Sequence, residues 1–246
     1  MSSAGALLFG RYAFPPNRLG YCGPADSQAL LEQVSASKPD RGLVELERRF
    51  EGAYPYLCLI AQANNIPDPF DARVVEAYWI GNELLVRVDG APFYASLRER
   101  FGDRLKPSEF GWLARKLEVS ARPHHNFHVF DIYVRAGLMR NERADIALET
   151  MDSCRISWGR VAAVEGAELM VDRPQLVVAG GKLALSEPRP FRVSRQLDGH
   201  SFVDGVSVGD LVSIHWNWAC DVLGPAGLSR LRRATQRSLT LANLTI

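Results

Sequence analysis

The chain has 246 residues, of which 47% are hydrophobic and 23% charged, and its net charge is +1. This length allows one large domain or two smaller ones, and so small a charge provides no overall field to attract nucleic acid or an anionic membrane. No window approaches the roughly 18 apolar residues of a membrane span, and no basic segment precedes the short apolar run at the start. We therefore expect a cytoplasmic protein that binds neither nucleic acid nor membrane.

The cysteines support the same expectation. They number four, they stand far apart, and none forms a C-x-x-C pair. This scatter argues against a disulfide framework and against a zinc ribbon, and it is typical of a protein whose thiols stay reduced.

Residues 25–120 predict a series of α-helices, because apolar side chains recur three and four positions apart. Pro55 lies inside the second helical segment and predicts a kink or a split there. Asp68 or Asp71, and Ser108, are the expected N-caps. The expected breaks between segments contain proline or glycine and fall at Pro39–Asp40, Pro67–Pro69, Gly90–Pro92 and Pro107.

From about residue 154 the pattern changes to short β-prone runs separated by Gly, Pro and Asp, which is typical of a small barrel. The fold class predicted is therefore α+β. Residues 1–150 are expected to form an α-helical domain, joined through a helix near ERADIALETM to residues 151–246. The latter are expected to form a small OB-like β-barrel and a terminal helix with an apolar stripe at Leu228, Leu231 and Leu239.

Two pieces of the β region suggest a metal site. In VGDLVSIHWNWAC (208–220) a turn at Gly209–Asp210 precedes an alternating strand, on which Leu211, Ser213 and His215 share a face. The run CRISWGRV (154–161) places Cys154 just ahead of another strand. If the sheet closes, Cys154 and His215 can meet. Taken singly, a lone cysteine is more often a small hydrophobe, and a lone histidine is more often satisfied by a backbone carbonyl.

These two pieces resemble the HypC/HupF family of [NiFe]-hydrogenase maturation chaperones over residues 152–223. The resemblance implies a HypC-like barrel in which Cys154 and His215 bind iron carrying cyanide and carbon monoxide ligands. It also implies that the partners are other hydrogenase maturation proteins or the hydrogenase large subunit. The matching positions are Cys154, Gly159, Arg160 and Val161 in the first piece, and Val208, Gly209, Asp210, Val212 and His215 in the second.

The helical half contains a second candidate site, the segment ARPHHNFHVFDIYV (121–134). On a helix His124 and His128 are one turn apart and His125 is adjacent to His128, so these histidines are candidates to hold haem or a second metal. On a strand only His124 and His128 share a face. The alternative is a surface turn with one buried, hydrogen-bonded histidine.

Cys22 and Glu76 are the candidate catalytic residues. Cys22 precedes a helix start, where a thiol pKa is lowered, but a cysteine that simply packs in a tight turn is the favoured explanation. Glu76 and Glu83 are expected two turns apart on one helix, where a carboxylate facing the histidines would complete a metal site. The alternative is an exposed acidic face.

Three functions follow from these patterns. The first is an accessory protein of [NiFe]-hydrogenase assembly. The second is a metal- or haem-dependent enzyme that supplies a diatomic ligand such as carbon monoxide. The third is a metal-free interaction module. The sequence does not decide whether the protein is an enzyme, and it contains no nucleotide-binding motif or nucleophile elbow.

Overall fold

The computed structural model describes residues 3–37, 41–135 and 144–246, so the predicted break at Pro39–Asp40 lies outside the described residues. A 3₁₀ turn, Glu83–Arg87, follows the helix Ala72–Trp79, and a π-helical segment, His128–Tyr133, continues the short helix His125–Phe127. The α-helices are α1 (Ser3–Arg18), α2 (Ser27–Ser35), α3 (Arg41–Glu47), α4 (Tyr54–Ala63), α5 (Ala72–Trp79), α6 (Gly90–Phe101), α7 (Pro107–Val119), α8 (His125–Phe127), α9 (Ala144–Cys154) and α10 (Pro225–Ala242).

Helix α1 precedes the region in which helices were predicted. It contains Pro15 and Pro16, which ordinarily argue against a helix interior. The helix forms nonetheless, with Phe9, Tyr12 and Phe14 fully buried. It contacts α2 and α5 on one side and the strands Leu211–His215 and Trp218–Val222 on the other. It therefore lies between the two halves of the chain.

The helix breaks follow proline and glycine chemistry, with one correction among the expected N-caps. Pro55 splits the second segment as predicted, because it occupies the first turn of a new helix, α4. Asp71 caps α5 by accepting a hydrogen bond from the Arg73 amide. Ser108 is not an N-cap, because α7 begins one residue earlier, at Pro107.

The predicted helix carrying both Glu76 and Glu83 is interrupted. Helix α5 ends at Trp79, and Gly81 adopts a φ of 92°, a left-handed conformation that glycine tolerates. Glu83 therefore begins the separate 3₁₀ turn, and the two carboxylates do not share one helical face.

The strands confirm the β-prone runs and their turns. The glycines at the predicted turns, Gly166, Gly180, Gly181 and Gly199, all have positive φ. The strands are β1 (Ser157–Glu165), β2 (Glu168–Arg173), β3 (Leu176–Ala179), β4 (Lys182–Leu185), β5 (Arg189–Ser194), β6 (Gln196–Leu197), β7 (His200–Ser201), β8 (Leu211–His215) and β9 (Trp218–Val222).

Five strands pair in the order β1-β2-β5-β9-β8, and β8 pairs back with β1, so this sheet closes on itself. Only the β5–β9 pair is parallel among these pairings. The remaining strands form two hairpins, β3–β4 and β6–β7. Within residues 3–37, 41–135 and 144–246, ten helices and a multi-stranded sheet confirm the α+β class.

Apolar side chains fill the sheet and also cover its outside. Val212 and Ile214 of β8 belong to the core enclosed by the closed sheet. Trp158 and Trp218 belong instead to the large core formed by the helices. Because β8 is covered on both faces, the outward-facing Ser213 and His215 are buried against α1 rather than exposed to water.

Helix α10 confirms the predicted apolar stripe, since Leu228, Leu231 and Leu239 are all buried. Across the described ranges, no helix combines the length and the apolar character needed to cross a membrane.

Glu47 is a buried acid at the end of α3 and predicts a pH-dependent stability. Neither of its carboxyl oxygens has a hydrogen-bond partner among the described residues, and burial raises its pKa well above 4.5. A raised folded-state pKa contributes stability that is complete below the unfolded pKa and is lost as the pH rises. We expect Glu47→Gln to raise the free energy of unfolding at pH 8, and to raise it by less as the pH approaches 5.

The difference is expected to change by at most about 1.4 kcal/mol per pH unit, measured by urea unfolding at several pH values. Glu45→Gln, on the same helix but exposed and paired with Arg41, serves as the control. A pH-independent difference for Glu47→Gln would contradict the assignment.

Candidate metal centre

Three side chains from three separate elements converge in the interior. His125 opens α8, Cys154 ends α9 and His215 ends β8. All three are buried, and one ligand atom from each lies within 4.8 Å of the other two. Cys154 Sγ and His125 Nε2 are 4.0 Å apart. The structure thus brings together Cys154 and His215, the predicted pair, and adds His125, which the sequence analysis had assigned to a separate site.

A buried ionic network holds Cys154 in place. Asp152 accepts hydrogen bonds from Arg155 Nε and Arg173 Nη2, each at 2.9 Å, and from the Leu176 amide at 2.8 Å. Arg155 is completely buried and also donates to the Pro174 carbonyl at 2.7 Å. These hydrogen bonds and ion pairs tie the end of α9 to β2 and to the start of β3.

Asn126 fixes His125 relative to Cys154. Its Oδ1 accepts from the Ile156 amide at 2.9 Å, and its Nδ2 donates to Thr235 Oγ1 on α10 at 2.8 Å. α8 is therefore tied to the chain just beyond Cys154. The sequence gives no signal for Asn126, since an amide between histidines does not reveal so distant a partner.

The surroundings of His215 leave one ring nitrogen available. Its Nδ1 is 2.7 Å from the Tyr12 carbonyl, which can only accept, so Nδ1 carries the proton. Its Nε2 then carries a lone pair, and this buried atom lies near the Cys154 backbone but makes no hydrogen bond of normal geometry among the described residues. The Trp216 amide donates to the Ser153 carbonyl at 2.8 Å, which joins the residue after His215 to the residue before Cys154.

His125 has the opposite tautomer. Its Nε2 lies 2.8 Å from the Cys154 carbonyl and must donate to it, which leaves Nδ1 to accept from the Tyr78 hydroxyl at 3.2 Å. For Nε2 to bind a metal, its proton has to move to Nδ1. The Tyr78 hydroxyl can then accept that proton in a hydrogen bond, because a hydroxyl both donates and accepts.

The electrostatics of the three groups suit a cation. Burial lowers the pKa of His125 to about 4 and that of His215 well below its usual range, and it raises the pKa of the Cys154 thiol to about 12. All three groups are consequently neutral at pH 7. A bound dication would stabilise the thiolate and bind both imidazoles in their neutral form.

The cluster lines a small cavity of about 60 Å³, which we call the metal chamber. Its walls are mostly apolar and aromatic, and the stacked rings of Tyr21 and Trp216, 4.0 Å apart, form part of them. At roughly 30 Å³ for each water molecule, the metal chamber has room for an ion and a water.

Of the other predicted histidines, only His128 reaches this chamber. His128 is half-buried, and its Nδ1 lies 2.9 Å from the Tyr56 hydroxyl. His124 precedes the helix and caps it, with Nδ1 accepting from the Asn126 amide at 3.0 Å. It lines a different cavity, beside Arg122 and Ala234. The pairing of His124 with His128 that a longer helix would produce is not formed, because α8 begins after His124.

The two catalytic candidates occupy different places. Cys22 lines the metal chamber, and burial raises the pKa of its thiol to about 12, the direction opposite to the one predicted from the helix start. Counted over all of its atoms, Cys22 is nevertheless exposed to solvent. Glu76 does not line the metal chamber. It accepts hydrogen bonds from Arg230 and Asn82, and in this way it ties α5 to α10.

Comparison with known proteins corrects the resemblance described above. No curated protein and no solved structure matches the chain. A family model does match, over residues 1–246, and it is not that of the HypC/HupF family. A single model spanning both the helices and the sheet overturns the HypC/HupF assignment, which depended on short runs of common strand and turn residues. The chain belongs to the DUF6390 family, a family of unknown function.

Proposed function

We propose that this protein is a metal-dependent enzyme whose centre is a single divalent transition-metal ion bound by His125, Cys154 and His215. The observation that carries the proposal is the convergence of three buried donor atoms, one of them the unpaired Nε2 of His215. A buried nitrogen lone pair without a partner is unfavourable in a purely structural core, and a metal ion would satisfy it.

The distances support one ion. In tetrahedral coordination with the usual zinc bond lengths, a cysteine sulfur and a histidine nitrogen lie about 3.6 Å apart. The observed Sγ–Nε2 distance of 4.0 Å needs only a small inward movement to reach this value.

The donor set favours Zn²⁺. One thiolate and two imidazoles suit this borderline-soft ion, although they also bind Fe²⁺ and copper. Iron was predicted from the HypC/HupF resemblance and is now one outcome of metal analysis. The metal chamber suits an ion rather than a haem macrocycle, because pockets for cofactors of that kind measure about 300–1,000 Å³. The cyanide and carbonyl ligands and the hydrogenase partners depended on the resemblance alone, and no contact in the structure supports them.

Three protein ligands leave a fourth position, which distinguishes catalytic from structural zinc sites. This position would face the metal chamber, where a bound water would become acidic enough to act as a nucleophile near neutral pH. The aromatic walls would keep bulk water away from it. The site needs free thiols, and all four cysteines are free, which is compatible with the reducing cytoplasm that we propose as the compartment.

Metal content tests the proposal directly. We expect about one metal ion per chain in protein purified without chelators, and at least a tenfold lower content in Cys154→Ala and in His215→Ala, since each variant removes one of three ligands. Cys58→Ala removes a half-buried cysteine outside the cluster and is the matched control. Equal metal content in all four proteins would favour the metal-free interaction module.

The pH dependence of binding provides a second test. The thiol of Cys154 has a pKa raised to about 12 and must lose its proton to bind metal, whereas His125, with a pKa of about 4, is already neutral. Binding therefore releases one proton, and we expect the association constant for Zn²⁺ to rise about tenfold per pH unit between pH 6 and 8. Competition against a chromophoric chelator measures it. A constant affinity over this range would rule out the thiolate as a ligand.

Tyr78 tests the tautomer change of His125. We expect Tyr78→Phe to lower the affinity for Zn²⁺ by about tenfold, because the Nδ1 proton of metal-bound His125 loses its acceptor. Tyr56→Phe is the control, since its hydroxyl contacts His128 instead. If both variants bind Zn²⁺ as tightly as the wild type, Tyr78 has no such role.

A further inference from the structure

A second, much larger cavity of about 950 Å³ adjoins the metal chamber, and we call it the arginine cleft. Its size is that of a pocket for a small organic molecule. Four arginines line it, together with a single glutamate, Glu51. The arginines are Arg48, Arg49, Arg100 and Arg104.

These arginines are not neutralised by the protein. In the described part of the chain, none of them forms an ion pair with a carboxylate. The whole chain has a net charge of only +1, so four unpaired guanidinium groups around one concavity are a local concentration of positive charge. A concave site lined by one sign of charge attracts ligands of the opposite sign.

Arg100 is already held in a binding geometry. Its Nη2 donates to the carbonyls of Glu51 and Gly52 at 3.0 and 3.1 Å, and its guanidinium lies over the rings of Tyr56 and Phe101. The other terminal nitrogen, Nη1, is buried. The guanidinium is therefore ordered, and its fixed positive charge attracts an oxyanion in the cleft with little further loss of side-chain entropy.

The arginine cleft and the metal chamber share a wall. Cys22, His128 and Tyr133 line both cavities, as do Tyr21 and Gly52. A molecule whose anionic group is held at Arg100 therefore lies next to the metal chamber. The rings of Tyr54 and Phe101 offer apolar surface to the remainder of such a molecule.

We infer that the arginine cleft binds a small organic anion, a carboxylate or a phosphate monoester, and is the substrate pocket of the metal centre. Anion binding depends on the arginine cleft alone, and only the role of the cleft as a substrate pocket rests on the proposed function. The test is therefore made on metal-free protein, so that failure of the metal centre and failure of the arginine cleft give different results.

The experiment is calorimetric titration of the chelator-treated full chain with inorganic phosphate, phenyl phosphate and benzoate. We expect saturable binding of at least one probe, with phenyl phosphate and benzoate distinguishing the two kinds of anion. Arg100→Gln is expected to weaken that binding at least tenfold, because it removes the ordered guanidinium. Arg98→Gln is the matched control. Arg98 lies on the same helix, α6, but does not line the arginine cleft, so its loss is expected to change affinity less than twofold.

Circular dichroism of both variants confirms that they are folded. The inference is overturned if none of the three probes binds the wild type at millimolar concentration, or if Arg100→Gln binds as tightly as Arg98→Gln. Cys154→Ala is expected to bind the anion within threefold of the wild type. A larger loss in this variant would also count against the arginine cleft, since it would place the anion on Cys154 instead.

Discussion

The junction of the helices and the sheet depends on the ion pairs that the buried carboxylate of Asp152 forms with two arginines. It pairs with Arg155 and Arg173 and accepts the Leu176 amide, so one side chain joins α9, β2 and the start of β3. An unpaired charge at this depth would be strongly destabilising, so these ion pairs favour the observed contact of the three elements. Cys154 lies between Asp152 and Arg155, and its position is set by that arrangement.

Helix α1 imposes the second constraint on the metal centre. Its Tyr12 contacts β8 twice, through the hydroxyl to Ser213 Oγ at 2.8 Å and through the carbonyl to His215 Nδ1 at 2.7 Å. The carbonyl selects the tautomer of His215 and turns its free nitrogen toward Cys154 and His125. A helix at the beginning of the chain thus controls the chemistry of a histidine near its end.

The proposed metal centre needs an apolar chamber, whereas recognition of an anion needs charged groups. The two cavities meet these conflicting requirements separately. A small apolar chamber strengthens the interactions of a bound ion, because the local dielectric is low. Recognition of an anion needs charged groups, which are expensive to bury without partners. Placing the arginines in a larger cavity, across a shared wall, leaves them hydrated until a ligand replaces the water.

The sequence by itself determined the α+β class and the strand and turn positions after residue 154. These depend on local periodicity and on turn residues, which act over a few positions. Only the tertiary structure decided that Cys154 and His215 meet, because this needs the sheet to close, and that His125 rather than His124 joins them, because this depends on where α8 begins. It also decided that α1 is helical despite Pro15 and Pro16, and that Glu76 pairs with Arg230. Burial of side chains against distant elements decides such features, and a local pattern does not contain that information.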